Sequence, residues 1–136
     1  MSPMLPVSPG ELLDRICILE IRLAHLTDPE KVSQVHRELM SVRDAWNDFC
    51  PRPTAQVVIM WRDLHRVLSR GWELENLVRD LERRDIPTLV LPFGTAYVEF
   101  CREIHRNNDE RSKLKRELNE LLGSDMLEEK IHGVTP

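Results

Sequence analysis

"SPGELLDRICILEIRLAHL", residues 8–26, reads as a helix from its first residue. Ser8 offers a capping hydroxyl, Pro9 suits the first helical position, and Glu11 stands where it can complete a capping box. Leu12, Ile16, Leu19, Leu23 and Leu26 then step by four and three, which places one apolar stripe on a helix ending near His25 or Leu26. A helix with one apolar face is stable only when that face is covered. The rest of the chain must therefore supply partners for it.

Three further helices are predicted. Asp28 can cap the second and Pro29 open it, and Val32, Val35, Leu39, Val42, Trp46 and Phe49 form its apolar stripe. "CPRPT" at 50–54 stops it with two prolines, and Thr54 can cap a third helix reaching Arg84, with the stripe Val57, Trp61, Leu64, Leu68 and Trp72. The punctuated stretch "DIPTLVLPFG", 85–94, reads as a loop over the bundle. Thr95 is a candidate cap for the fourth helix, and Gly123 suits the left-handed position at its end. No strand pattern or repeat competes, so the expected fold is all-α, an antiparallel bundle of about four helices with a proline-rich loop between the third and fourth. Residues 1–136 read as one helical domain, with 1–7 as a lead and 124–136 as a tail.

Bulk properties narrow the partners. The net charge of −4 comes from interspersed acids and bases and offers no basic field, so nucleic acid is not expected. The apolar runs are too short to span a membrane and the N-terminus lacks a signal-peptide pattern. Three unpatterned cysteines, Cys17, Cys50 and Cys101, suit a reducing compartment, so a cytoplasmic location is expected. Cys101 and His105 share a face at i,i+4, but two ligands without a third make no metal site. Neither a metal nor another cofactor is expected.

Polar residues interrupt the apolar stripes. Glu20 falls between the row Ile16–Leu23 and the row Cys17–Ala24, where a lone buried carboxylate would cost several kcal/mol, roughly, without a cationic partner. Continuing the third stripe beyond Trp72 reaches Glu75, Arg79 and Glu82, and the fourth runs from Tyr97, Cys101 and Ile104 into Asn108, Arg111 or Ser112, and Lys115. In an antiparallel bundle these stretches can face each other and Glu20. The candidate ligand-binding set is thus Glu20, Glu75, Arg79, Asn108, Arg111 and Lys115, with the cations of the third and fourth helices expected to meet Glu20. No catalytic residue is assigned, because the chain contains no P-loop, G-x-S-x-G or H-E-x-x-H motif.

Three stretches, "VSPGELLDRICILEIRL", "WELENLVRDLER" and "IHRNNDERSKLKRELNELLGSDMLEEK", together resemble a family of short bacterial proteins, a domain of unknown function with S-P-G-E-L-L-D, W-E-x-E and N-D-x-R-x-x-L-K-R motifs. The resemblance spans nearly the whole chain. It implies emphasis on Glu11, Asp14, Glu20, Trp72, Glu75, Arg79, Asn108, Asp109, Arg111, Lys115 and Arg116, and it brings no activity with it. "IPTLVLP" looks like an addition to the family's pattern.

Two functional readings follow. In the first, the chain is a binding or accessory module whose ionic cluster specifies the fold and whose outer surface meets a protein partner; a homo-oligomer is compatible with it. In the alternative, it is an enzyme or sensor for a small anionic metabolite, a carboxylate or phosphate bound between the helices by arginines. Direct pairing within the cluster favours the first, and a cavity beside it favours the second.

Overall fold

The structure is a computed structural model and describes residues 1–84 and 93–126. Four helices follow one another: α1 (Pro9–His25), α2 (Pro29–Phe49), α3 (Ala55–Arg83) and α4 (Phe93–Leu121). There is no strand among the described residues. The proline-rich segment 85–92 and the tail beyond 126 lie outside them.

Local chemistry sets the helix ends. Ser8 accepts a hydrogen bond from the Glu11 backbone N–H, Asp28 from that of Glu30, and Thr54 from that of Val57, each satisfying a donor that the first turn leaves unpaired. The fourth helix departs from expectation. It begins at Phe93, so Thr95 lies inside its first turn, and Gly94 is buried. At the other end Gly123 takes φ of 66°, and the Ser124 N–H returns to the Asn119 carbonyl at 2.8 Å. That left-handed turn suits glycine and closes the helix.

The helices alternate in direction. Arg70 of α3 meets Glu103 of α4 and Glu82 meets Tyr97, so these two run antiparallel; Glu11 with Lys115 and Asp14 with Arg111 set α1 antiparallel to α4. α1 packs against all three other helices, whereas the α2 backbone approaches only α1. Being covered on several sides, α1 buries a wider arc than one stripe. Leu13, Ile16, Cys17 and Leu19 are wholly enclosed, while Leu12 and Leu23 of the expected stripe are half-buried. Ile21, Leu39, Trp46, Val57, Leu64, Leu68 and Leu118 join them in the core, and Trp61 meets Trp46 edge-on with ring centroids 5.7 Å apart. Trp72 departs from its expected core role: it is 39% exposed and stacks on His25, centroids 3.7 Å apart. No helix among the described residues is long and apolar enough to cross a membrane.

Candidate functional site

The start of α1 is locked onto α4 by a ladder of polar contacts. The Gly10 N–H donates to Asn119 Oδ1 at 2.7 Å, Lys115 Nζ donates to Glu11 at 2.5 Å, and Arg111 gives Asp14 two bonds of 2.7 Å, from Nε and Nη2. Residues 10, 11 and 14 ascend α1 while 119, 115 and 111 descend α4, so the ladder fixes the register of one helix on the other. Asp14 is fully buried, and the bidentate guanidinium makes that tolerable by replacing lost hydration with two charge-assisted bonds. Asp14 in turn holds the Arg111 pKa above its ordinary value, against the opposing effect of partial burial. Glu11 bonds to Lys115 across the seam.

Beyond this ladder the three helices α1, α3 and α4 part around a cavity of about 300 Å³. Each helix contributes residues at i, i+3 and i+4 spacing. From α1 come Ile18, Ile21 and Arg22, and from α3 Leu68, Gly71, Trp72 and Glu75. From α4 come Ile104, Asn107, Asn108 and Arg111. Gly71 matters because a β-carbon there would come within 2.7 Å of Asn107 Nδ2, so the missing side chain gives this amide its place on the wall. Among the described residues, Arg22, Glu75, Asn107 and Asn108 make no side-chain hydrogen bond or ion pair, and Arg111 keeps Nη1 unused after bonding Asp14. The cavity therefore combines an apolar floor, one tryptophan wall and polar groups with capacity to bond something further.

Three residues of the candidate set line this cavity: Glu75, Asn108 and Arg111. Lys115 lies in the seam on Glu11, and Arg79 is exposed on α3 away from the cavity lining. Glu20 is elsewhere. Its carboxylate receives Arg43 of α2 at 2.8 Å and approaches His65 of α3 at 3.5 Å, beside a smaller hollow of about 140 Å³. The expectation that cations of the third and fourth helices neutralise Glu20 is thus corrected: the cation comes from α2, since Glu20 lies on the flank of α1 turned toward α2 and α3.

Several participants were not in that set. Asp14 lies one turn before Cys17 and Ile18, so the helical argument that singled out Glu20 applies to it equally. Arg22 and Asn107 carry no comparable signal, because their relevance depends on which helices meet. Cys17 sits between the two acids and is fully buried; burial, then the charges of Glu20 and Asp14, push its thiol pKa up to about 12, so it is protonated and unreactive. Among the described residues no group of three or more His, Cys, Asp or Glu gathers to hold a metal ion. Neither a family model, nor a curated protein, nor a solved structure matches this chain.

Proposed function

We propose that the protein is a binding module for a small molecule, held in the cavity between α1, α3 and α4, and that the ionic ladder beside the cavity keeps its walls in register. The observation that carries this reading is the contrast between the two polar groups. In the ladder the charges are directly paired, which is what a fold-specifying network requires; around the cavity four polar side chains stand without a protein partner among the described residues. A volume of about 300 Å³ lies at the lower end of ligand clefts, which run roughly from 300 to 1,000 Å³, and suits a metabolite better than a large cofactor.

The test is a thermal-shift screen of the full chain against a metabolite panel of acids, phosphates, amino acids and nucleosides. A ligand at about a hundred times its Kd stabilises the native state by about 2.7 kcal/mol, well within detection. The expected hit is lost in Asn108→Leu and retained in Glu20→Gln, whose side chain is outside the cavity. A panel silent throughout overturns the reading and turns the search to a protein partner.

A further inference from the structure

The cavity's charges select among ligands. Arg111 is answered by Asp14 and Lys115 by Glu11, so neither presents a full uncompensated positive charge. Arg70 of α3 is likewise bonded to Glu73 and Glu103. Among the described residues of the lining this leaves one cation, Arg22, and one anion, Glu75. They lie at the same end of the cavity. Along its lining Arg22 is the last residue of α1 and Glu75 the last of α3, two helices that both run antiparallel to α4, whose first lining residue is Ile104. They occupy opposing walls, α1 and α3, and do not form an ion pair with each other.

We infer that the ligand is a zwitterion of the α-amino-acid type, its carboxylate on Arg22 and its ammonium on Glu75, with its side chain directed down the cavity toward Asn108 and Arg111. This rests on the reading of the cavity as a ligand site. A simple anion gains Arg22 but is repelled by Glu75, and a simple amine gains Glu75 but is repelled by Arg22. Only a molecule carrying both charges close together satisfies both walls. The depth is adequate for a side chain: Arg111 lies about seven residues, roughly 10 Å, along α4 from Ile104 near the charged end. Ile21, Leu68 and Trp72 provide apolar contact on the way, and the Asn108 amide and Arg111 Nη1 offer hydrogen bonds.

The experiment is isothermal titration of the full chain with phenylalanine, leucine, glutamine and glutamate, each compared with its N-acetyl derivative, which lacks the ammonium, and its decarboxylated amine. At least one free amino acid is expected to bind saturably, and both of its derivatives to bind about tenfold more weakly or worse, the loss expected for one charge-assisted contact. Glu75→Gln, on an exposed stretch of α3, is expected to weaken the free amino acid by a similar factor and the N-acetyl form far less; an unchanged melting temperature shows that the variant folds. An N-acetyl form that binds as well as its parent overturns the zwitterion assignment and leaves the cavity as an anion site. Silence from every amino acid, with a hit elsewhere in the metabolite panel, overturns the assignment alone; silence in both experiments overturns the binding-module reading with it.

Discussion

Cys17 lies between Asp14 and Glu20 on the buried side of α1, and its environment makes the thiol a reporter of folding. The folded protein keeps it protonated up to about 12, whereas an unfolded thiol ionises at about 8.5. Because the folded pKa is the higher, the stabilisation is complete below the unfolded value and is lost as pH rises from there toward 12, at no more than about 1.4 kcal/mol per pH unit. Denaturant midpoints measured between pH 7.5 and 10.5 should therefore fall less steeply for Cys17→Ala than for the parent. Iodoacetamide at pH 8.5 should leave Cys17 unmodified until the protein unfolds. The sequence revealed that a carboxylate stood on the buried face of this helix, but not which neighbour would meet it. Arg43 and Arg111 are indistinguishable as partners for Glu20 until the packing of α1 against α2 is known, since a helical periodicity gives the direction of a side chain and not the identity of the element opposite.

At the scale of elements, the seam between α1 and α4 gives two predictions with opposite controls. Arg111→Met leaves the Asp14 carboxylate buried and alone. The cost is expected at about 2 to 3 kcal/mol, below that of a fully enclosed pair because the Arg111 side chain is 34% exposed. The double variant Asp14→Leu with Arg111→Met removes both charges and should be more stable than Arg111→Met alone by chemical denaturation. The second concerns the glycines. A β-carbon at Gly10 would lie 2.6 Å from the Lys115 carbonyl oxygen and 2.8 Å from Asn119 Oδ1, so Gly10→Ala must push α1 off α4, at about 1 to 3 kcal/mol despite alanine's better helix propensity. At Gly71 the β-carbon meets only the Asn107 side chain, which can rotate away, so Gly71→Ala should leave the melting temperature unchanged or raised while narrowing the cavity. The helix starts at Ser8, Asp28 and Thr54 were legible because a cap is a local bond between neighbours in sequence. The start at Phe93 was not, because Thr95, the local cap candidate, lies inside the helix.

In the molecule as a whole, α1 is the axis and α2 the peripheral member, a ranking that the apolar stripes could not give because all four helices carry one. α2 buries only Leu39 and Trp46 among its 21 residues, and its backbone approaches no helix but α1. The cavity walls come from α1, α3 and α4, whereas α2 contributes Lys31, Gln34 and Val35 to an open hollow outside Trp72. Local stability follows buried contact, so α2 should open in a sub-global fluctuation that leaves the other three helices assembled. Hydrogen exchange followed by mass spectrometry should find α2 peptides exchanging ahead of those from the buried parts of α1 and α3. Trp46→Ala should widen the gap, because Trp46 is the largest enclosed side chain and also carries the edge contact to Trp61 of α3. A ligand held between α1, α3 and α4 should slow exchange in those helices more than in α2. Equal protection of all four would mean that the bundle opens only as a unit, with Trp46 and its contact to Trp61 binding α2 as firmly as the ladder binds α4.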